Sequence, residues 1–435
     1  MITTAPLDIL VASFPFAGHV APALPIVRAL TGRGHRVCWY TGKQFADAVE
    51  GAGAVYEHMR SAPDPADHPL PDRFPEGRDL EGLKGFRFAM INHILGDAAE
   101  HVADLSTILD RNPADMLLAD TGFVAAGMLR ELGGPPLIGY GITALTLASR
   151  DTAPFGTGLA PGSGGLSRMR NRVLNQLTKH VLFRPIQAKH LQVRAALGLP
   201  PTSATIFEGV HLSELYVQGS NPSFEYPRND LPEQVHFVGP LLAKAPPGFQ
   251  PPTWWDRLAG QPVVLVTQGT FATDDAELIR PAIEGLADEP VLVVVAGAVD
   301  QSVVLPANVV AERFVPFAAL MPHVDVMVTN GGFGGVQYAL TNGVPLVASG
   351  TTEEKPEIAA RIAWSGAGIN LGKRSPTPHD VRAAVKRVLN DPSYRGNAER
   401  IAAETPADPA ELAADLVVEL GRNIRRKSPV ALPRR

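Results

Sequence analysis

A histidine and an aspartate follow two separate apolar runs in the first third of the chain. His19 comes shortly after Leu7–Ser13, and Asp120 ends the run that begins at Met116. Such runs predict buried strands, and parallel strands place the residues at their carboxyl ends along one edge of a sheet. A histidine can remove a proton from a hydroxyl near neutral pH, and a carboxylate on its other ring nitrogen fixes the tautomer. The two residues therefore form a candidate acid–base pair.

Both residues also have an ordinary structural interpretation. His19 is one of 12 histidines and begins a predicted helix that extends to about Gly32, where a surface or capping role is common. Asp120 precedes a predicted helix at Gly122–Leu132, and aspartate is a frequent N-cap residue. Asp115 is a second candidate partner for the histidine, although its position favours a loop residue. We predict that His19 and Asp120 act together.

A glycine-rich stretch in the last third of the chain is the second candidate site. The apolar run Val324–Thr329 is followed by Asn330, by four glycines within Gly331–Gly335, and by a predicted helix at Val336–Thr341. Backbone without side chains and the N-terminus of a helix together attract a phosphate group, through unpaired N–H groups and the helix dipole. The stretch therefore predicts an anion site at the end of a strand.

Two common nucleotide motifs are absent from the sequence. No lysine follows the glycines as a G-x-x-x-x-G-K-[ST] loop requires, and no G-x-G-x-x-G opens the first strand–helix unit. The sequence also has no D-x-D motif and no cluster of histidines and cysteines, so we expect no metal site. Backbone N–H groups and helix dipoles would have to neutralise a bound anion.

Two series of alternating strands and helices flank a proline-rich segment. The second series restarts at Val263–Thr267, after Lys244–Pro252, which contains four prolines. The predicted fold class is α/β, with two tandem Rossmann-like, doubly wound parallel-sheet domains facing a cleft. We expect a first domain at 1–241, a linker at 242–254, a second domain at 255–407, a terminal helix at 408–424 and a basic tail at 425–435.

Some local elements are predicted from hydrophobic periodicity. One long helix is expected at Leu83–Leu109 and a second, basic and amphipathic, at Ser167–Leu197. Short strands are expected at Ala204–Glu208 and Glu214–Gln218. The segment 151–166 is rich in proline and glycine and predicts a loop.

Composition excludes several classes of protein. The formal net charge of −5, from 39 basic and 44 acidic residues, argues against a nucleic-acid-binding protein. A single cysteine, Cys38, excludes an internal disulfide. No signal peptide or membrane span is predicted, because the first residues lack a basic region before a long apolar one and no uncharged apolar run reaches membrane length. We expect a cytoplasmic monomer or homodimer.

The glycine-rich stretch resembles the nucleotide-sugar signature of the GT-B, family 1 (UGT-type) glycosyltransferases, in particular the natural-product glycosyltransferases of actinomycete bacteria. That signature reads H-G-G-x-G-[ST]-x-x-E-A-L, then G-V-P, then P-x-x-x-D-Q. The residues that match it in register are Gly331, Gly332, Gly334, Ala339, Leu340, Gly343, Val344 and Pro345. The departures are Asn330 for His, Gly335 for Ser or Thr, Tyr338 for Glu, and Glu354 with Lys355 for Asp-Gln.

The resemblance implies an inverting, metal-independent glycosyltransferase. Such an enzyme moves a sugar from a nucleotide-diphospho-sugar, with UDP or dTDP as nucleotide, to a hydroxyl of a small hydrophobic natural product such as a polyketide, macrolide or flavonoid-like compound. The segment Gly18–Pro22 resembles the family's G-H-x-x-P, whose histidine is the general base, and the family has an aspartate at the strand end that matches Asp120. The nucleotide-sugar is a co-substrate, and no other cofactor is implied.

The resemblance also implies which residues contact the two substrates. Donor contacts are expected at Gly269, Thr270, Phe314, Val315, Asn330, Gly332, Phe333, Gly334, Gly335, Glu354 and Lys355. Acceptor contacts are expected at Phe16, Phe86, Met90 and Ile142, although the apolar regions Leu83–Leu109 and Leu137–Leu147 could equally be ordinary core. The helix at 408–424 is expected to cross back onto the first domain, as it does in the family.

Three alternatives are compatible with the sequence. The departures at Tyr338 and Lys355 allow transfer to an amine, or transfer from a dTDP-deoxysugar. Asn330 and Gly335 are compatible with a non-catalytic auxiliary protein that activates a partner transferase, although the intact acid–base pair argues against it. A nicotinamide-dependent oxidoreductase shares the strand–helix alternation, but the missing G-x-G-x-x-G with its following acid argues against that class.

Overall fold

The protein is described by a computed structural model that covers residues 5–78, 80, 82–246, 248–269, 275–300 and 303–427. Across these residues the strands form two sheets. The first has seven strands in the order β3-β2-β1-β4-β5-β6-β7, and the second has six in the order β10-β9-β8-β11-β12-β13. Neighbouring strands run parallel in both sheets. This is the predicted doubly wound α/β architecture.

The strands of the first sheet are β1 (Asp8–Ala12), β2 (Arg36–Tyr40), β3 (Val55–Glu57), β4 (Met116–Asp120), β5 (Leu137–Tyr140), β6 (Leu215–Gln218) and β7 (Val235–Phe237). The helices in this part of the chain are α1 (Ala17–Val20), α2 (Ala23–Gly32), α3 (Ala46–Glu50), α4 (Leu70–Arg73), α5 (Gly82–Ala89), α6 (Ala98–Arg111), α7 (Val124–Glu131), α8 (Gly165–Leu177) and α9 (Arg184–Ala196).

The strands of the second sheet are β8 (Val263–Thr267), β9 (Leu292–Ala296), β10 (Val309–Glu312), β11 (Val326–Thr329), β12 (Leu346–Ala348) and β13 (Gly368–Asn370). The helices that follow are α10 (Ile279–Leu286), α11 (Phe317–Leu320), α12 (Phe333–Thr341), α13 (Lys355–Trp364), α14 (Pro378–Asn390), α15 (Pro392–Ala402) and α16 (Pro409–Lys427).

The central strands of both sheets are buried on both faces. Every residue of β4, β8 and β11 is buried, which explains why these strands read as continuous apolar runs and not as alternating patterns. In the first sheet the strand order reverses between β1 and β4, which are paired neighbours. Ligands bind beyond the carboxyl ends of strands at such a reversal, because adjacent loops diverge there and leave a crevice.

Three predicted helices are interrupted in the structure. The helix expected from His19 to Gly32 is two helices, α1 and α2, and the second begins after Pro22. Proline lacks the N–H that a continuous helix needs and favours a helix start. The two long helices predicted from periodicity are likewise divided, by a π turn at Met90–Ile94 before α6 and by a second π turn at Thr178–Leu182 between α8 and α9.

The predicted strand at Ala204–Glu208 is wrong. This segment leads into a 3-10 helix at Ile206–Leu212, and a capping box closes its start. The Thr205 backbone N–H donates to Glu208 Oε2 at 2.6 Å, and the Thr205 side chain accepts from the backbone of Glu208. A threonine followed three residues later by glutamate is the sequence signal for this cap, and it outweighed the β-propensity of Ile206 and Phe207.

The last described helix, α16, packs on the first sheet and not on the second. Its Ala413, Ala414, Val417 and Val418 belong to the same buried cluster as residues of β1 and α2. Arg33 pairs with Glu411 and with Asp415 at its amino-terminal end. The chain therefore returns to its first half after the second sheet is complete. Within the described residues no helix is both long and apolar enough to cross a bilayer.

Candidate active site

His19 and Asp120 lie side by side at the reversal of the first sheet. His19 is in α1, which follows β1, and Asp120 is the last residue of β4. His19 Nδ1 is 2.9 Å from Asp120 Oδ1. The histidine side chain is 19% exposed and the aspartate side chain 0%. The imidazole therefore reaches solvent while its carboxylate partner does not.

Backbone groups fix the Asp120 carboxylate. Oδ2 accepts a hydrogen bond from the Phe14 N–H at 2.9 Å, and Oδ1 accepts one from the Gly122 N–H at 2.7 Å. N–H donors stabilise the ionised form of a carboxyl group and hold its orientation. The N-cap of α7 is Phe123, and no side chain caps that helix. The alternative interpretation of Asp120 as an N-cap is therefore not what the structure shows.

The His19 ring is held on several sides. Phe14 and Phe16 present ring edges to it, with centroid distances of 5.6 and 5.9 Å. The Tyr140 hydroxyl donates to the His19 carbonyl at 2.8 Å and anchors the backbone. Because the carboxylate accepts the Nδ1 proton, Nε2 is the ring nitrogen with a lone pair. The arrangement can take a proton at Nε2 and stabilise the imidazolium that results.

Gly122 is a part of this site that sequence reasoning missed. A Cβ atom built at this position would lie 2.9 Å from His19 Cε1 and 3.1 Å from Asp120 Oδ1. Real Cβ atoms do not approach other atoms so closely, so a side chain here would displace the imidazole. The signal in the sequence was the Asp-x-Gly spacing, which is typical of an Asx turn.

The glycine-rich stretch forms a turn between β11 and α12. Gly331 has φ of +90°, which only glycine adopts without strain, and Gly332 is the N-cap of α12. Asn330 is buried, accepts from the Gly332 N–H at 3.3 Å, and donates through Nδ2 to the Gln268 carbonyl. The Asn330 side chain therefore links the loop after β11 to the loop after β8. A contact of Asn330 with phosphate stays a prediction.

The residues that begin α12 differ in what they can present to a ligand. A Cβ at Gly334 would meet nothing within 4 Å, whereas one at Gly335 would lie 3.2 Å from Met327 and 3.6 Å from Phe317. The Phe333 side chain is 7% exposed and belongs to the apolar core. Only backbone groups of Phe333 and Gly335 are therefore available to a donor, which is how a helix N-terminus binds phosphate.

Glu354 and Lys355 begin α13 beside the glycine turn. A Cβ at Gly331 would lie 3.7 Å from Lys355 Cβ. Lys355 pairs with Glu353, which has a positive φ of 56°. Burial raises the pKa of Glu354 above its usual value, and the charges of Lys355 and His19 oppose that rise. Glu354, on the second half of the chain, is therefore within electrostatic reach of His19 on the first half.

The other predicted donor residues are in varied settings. Phe314 is 76% exposed, so its side chain could contact a nucleobase. Val315 is buried in the core at 4% exposure, so its side chain could not. Gly269 has a positive φ of 78°, and a Cβ atom built at this position would lie 3.6 Å from Asn330 Oδ1. Thr270 lies outside the described residues. Tyr338 stands where the family has a carboxylate, and its hydroxyl donates to the Ala243 carbonyl at 2.8 Å.

The four predicted acceptor residues do not share one apolar cluster. Phe16, Phe86 and Met90 pack against the same buried cluster, beneath β1 and α6, whereas Ile142 packs against the cluster on the other face of the sheet. Phe86 also lies in an aromatic group with Phe183, at 5.6 Å between centroids. Phe16 also lies against the His19 ring, with 5.9 Å between the ring centroids.

A buried ionic network between the two halves of the chain was not predicted. Arg361 of α13 is 1% exposed, pairs with Glu357 at 2.6 Å and Glu225 at 3.2 Å, and lies 4.0 Å from the centre of the Tyr226 ring. Glu357 Oε2 accepts from the Gly156 N–H at 3.0 Å. Three distant segments meet here, and spacing along the sequence cannot reveal such a meeting.

Comparisons with known proteins show which family the chain resembles. The family model described as "Erythromycin biosynthesis protein CIII-like, C-terminal domain" matches residues 280–420. The chain is 46% identical over 413 residues to 4'-demethylrebeccamycin synthase of Lentzea aerocolonigenes, with 94% of this chain and 98% of that protein covered.

Solved structures show the same fold. The calicheamicin glycosyltransferase CalG4 superposes with a TM-score of 0.73 at 24% identity, with 96% of this chain and 99% of that chain covered. The glycosyltransferase SsfS6 of Streptomyces sp. SF2575, complexed with thymidine diphosphate, gives a TM-score of 0.66 at 22% identity over 95% of this chain and 99% of that chain. The chain is also 34% identical over 447 residues to UDP-glycosyltransferase 2 of Phaeomoniella chlamydospora, with 96% of this chain and 96% of that protein covered. This full-length similarity, together with the two parallel sheets, shows that the chain belongs to the UGT-type glycosyltransferases of GT-B fold and is a glycosyltransferase.

Proposed function

We propose that this protein is an inverting, metal-independent glycosyltransferase that moves a sugar from a UDP- or dTDP-sugar to a hydroxyl of a small hydrophobic natural product. The observation that carries the proposal is the hydrogen bond of 2.9 Å between His19 and Asp120 at the reversal of the first sheet. It leaves Nε2 as the basic nitrogen, at the edge of the sheet where an acceptor would bind.

The reaction needs one proton transfer and one displacement. His19 Nε2 takes the proton from the acceptor hydroxyl as that oxygen attacks the anomeric carbon of the donor sugar. The bond between that carbon and the diphosphate oxygen breaks in the same step, so the anomeric configuration inverts. Asp120 keeps the Nδ1 proton in place and stabilises the imidazolium.

The second half of the chain supplies groups that suit a leaving diphosphate. The N-terminus of α12 has nine residues of helix behind it, and Gly334 opens onto free space. Backbone N–H groups and the helix dipole there attract negative charge, and Lys355 lies beside the same turn. These groups support charge neutralisation without a metal ion. Thymidine diphosphate in the SsfS6 complex supports a nucleoside diphosphate as the leaving group.

The relatives support the class of acceptor. A 4'-demethylrebeccamycin synthase and a calicheamicin glycosyltransferase both carry natural products in their names. Phe16, which is partly buried beside His19, would favour an apolar acceptor over a strongly charged one. A polyketide, macrolide or flavonoid-like compound fits these observations, with reaction at a hydroxyl.

The test combines ligand binding with turnover. Wild type, His19→Ala and the exposed control His58→Ala are mixed with UDP, dTDP and their sugars, and melting temperatures are recorded. We expect one nucleotide diphosphate to stabilise all three proteins, because none of the changes touches the α12 turn. With a panel of polyketide and polyphenol acceptors, His19→Ala should lose about 10²–10⁴-fold in kcat and His58→Ala should not change.

Two further readouts test the finer points. The coupling constant of the anomeric proton in the product reports inversion, and turnover in excess EDTA reports metal independence. Retention of configuration, or loss of activity in EDTA that a divalent cation restores, would contradict the proposal. Product formed only with amine acceptors would move the assignment to amine transfer. Wild-type turnover by His19→Ala would show that another group is the base.

A further inference from the structure

The helix α8 presents a row of apolar side chains to solvent. Leu166 is 91% exposed, Met169 59%, Val173 57% and Leu177 46%, and Val181 in the following π turn is 57% exposed. Steps of three and four residues place side chains on one face of a helix. The exposed row is called the α8 stripe here, and it consists of these five residues. A contiguous apolar row on a surface marks an interaction site.

The opposite face of α8 is polar and is fixed to the protein. Asn171 is fully buried and donates to the Arg150 carbonyl at 3.2 Å, and Asn175 donates to the Ser149 carbonyl at 3.2 Å. Arg168 pairs with Asp151 at 2.7 Å. The usual pattern of an amphipathic helix is thus inverted, with amides inside and aliphatic groups outside. The stripe therefore does not serve the protein's own core.

The segment of chain that carries the stripe is basic. From residue 152 to residue 207 the chain has no aspartate or glutamate, while the chain as a whole carries a formal charge of −5. The basic residues of that segment are Arg168, Arg170, Arg172, Lys179, Arg184, Lys189 and Arg194. Arg170 and Arg172 are exposed on α8 itself, between members of the stripe in sequence. Three of these cations have carboxylate partners outside the segment, since Arg168 pairs with Asp151, Lys179 with Glu208 and Arg194 with Glu131. Arg170, Arg172 and Arg184 are exposed and have no carboxylate partner among the described residues.

We propose that the α8 stripe docks on the surface of a bilayer that contains anionic phospholipid. Helices with an aliphatic face and flanking arginines lie in the interface between headgroups and acyl chains. Arginines beside the row can extend toward lipid phosphates while their stems cover apolar surface.

A second copy of this chain fits the stripe less well. A two-fold interface places the same patch on both partners, so Arg170 and Arg172 of one copy would face a patch that carries the same two cations. Like charges that face each other in an apolar interface are costly, since no acid of the segment can neutralise them. An acidic protein with an apolar groove is the other possible occupant, and the experiment separates it from lipid.

The experiment is co-sedimentation of the full chain with vesicles of phosphatidylcholine alone and with about 30% phosphatidylglycerol, at low and at physiological salt. We expect binding only to the vesicles with phosphatidylglycerol, and weaker binding at higher salt. The double change Leu166→Ser with Val173→Ser should lower the partition coefficient about tenfold, because both side chains are exposed and would lie against acyl chains. Arg172→Gln should lower it about fivefold.

A matched control is Val304→Ser, since Val304 is also 91% exposed but belongs to the second half of the chain. It should bind vesicles as the wild type does. Equal loss in Val304→Ser, or no binding of the wild type to anionic vesicles at low salt, would overturn the proposal and leave a protein partner as the occupant. A dimer in solution that the double change dissociates would show that a second copy covers the stripe. The binding assay needs no substrate, so its result is independent of the proposed reaction.

Discussion

Glu357 Oε2 accepts a hydrogen bond from the Gly156 N–H at 3.0 Å, across 201 positions of sequence. The same oxygen accepts from the Gly158 N–H at 3.0 Å, and Oε1 pairs with Arg361 at 2.6 Å. One buried carboxylate of α13 therefore holds a loop of the first half of the chain. Phe155, which directly precedes Gly156, packs against the core of the second sheet. Glu354 and Lys355, which begin the same helix, are predicted donor residues.

The change Glu357→Gln removes the charge that faces Arg361 but keeps an amide of similar size. A buried guanidinium that loses one carboxylate is left partly uncompensated, so we expect the free energy of unfolding to fall by about 3 kcal/mol. The loop around Gly156 should also become more sensitive to proteases. Denaturant melts and limited proteolysis measure both effects. The change Glu419→Gln at an exposed position is the control. An equal effect there would show that Glu357 does not stabilise the protein through Arg361.

The change Asp120→Asn should stop His19 from acting as a base while leaving the imidazole in place. Oδ1 accepts from His19 and Gly122 and Oδ2 accepts from Phe14, so an amide must turn its NH₂ toward a donor in either orientation. When NH₂ faces the imidazole, the histidine takes the tautomer with its proton on Nε2 and cannot accept another. We expect kcat to fall about 10³-fold with the melting temperature little changed.

Asp115→Asn is the matched control for this prediction. Asp115 accepts from the Asp8 N–H at 2.8 Å and pairs with Arg425, and no histidine of the described part of the chain forms an ion pair with it. Its kcat should stay at the wild-type value. If the two variants lose activity equally, the proposed role of Asp120 is wrong.

The change Gly122→Ala should move the imidazole without removing any reacting group. The new Cβ would lie 2.9 Å from His19 Cε1, so the ring must shift. A misplacement of about 1 Å costs roughly 10²-fold in rate. We expect that loss in kcat, with the affinity for the nucleotide unchanged because the donor turn is on the other sheet. Gly396→Ala, where a Cβ would meet nothing within 4 Å, should behave as wild type.

His190 should make stability depend on pH. Burial, with the charge of Arg194, lowers the pKa of His190 to about 4, and its Nδ1 has no hydrogen-bond partner among the described residues. The folded protein therefore keeps this ring neutral, while the unfolded chain protonates it below about pH 6.5. The unfolded state binds more protons between these values, so stability is lost as the pH falls from about 6.5 to about 4.

The change His190→Gln should reduce that loss. Denaturant melts from pH 7 to pH 4.5 should show a slope smaller by about 1 kcal/mol per pH unit than in the wild type. The exposed His58→Gln should leave the slope unchanged. An unchanged slope in His190→Gln would mean that its ring is not neutral in the folded protein at low pH.

The sequence by itself determined the fold class and the edge at which chemistry is expected. Apolar runs such as Val263–Thr267 can be recognised as strands in the sequence, because strands of a parallel sheet are buried on both faces and are therefore apolar throughout. The placement of His19 and Asp120 at one edge followed from the parallel direction of β1 and β4. Local patterns predicted structure less well where two of them conflicted. At Thr205 a helix-capping box and a β-propensity pattern overlap, and the segment forms a helix and not the predicted strand.

The tertiary structure decided what those residues touch. Contacts between groups far apart in sequence leave no local pattern, because burial and backbone hydrogen bonds are shared by segments that meet only in the folded chain. The Phe14 N–H on Asp120, the absence of room at Gly122, and the attachment of Gly156 to Glu357 are of this kind. The exposure of the apolar face of α8 was also decided by the tertiary structure. The sequence shows that the helix is amphipathic, but it does not show which side is buried against the protein.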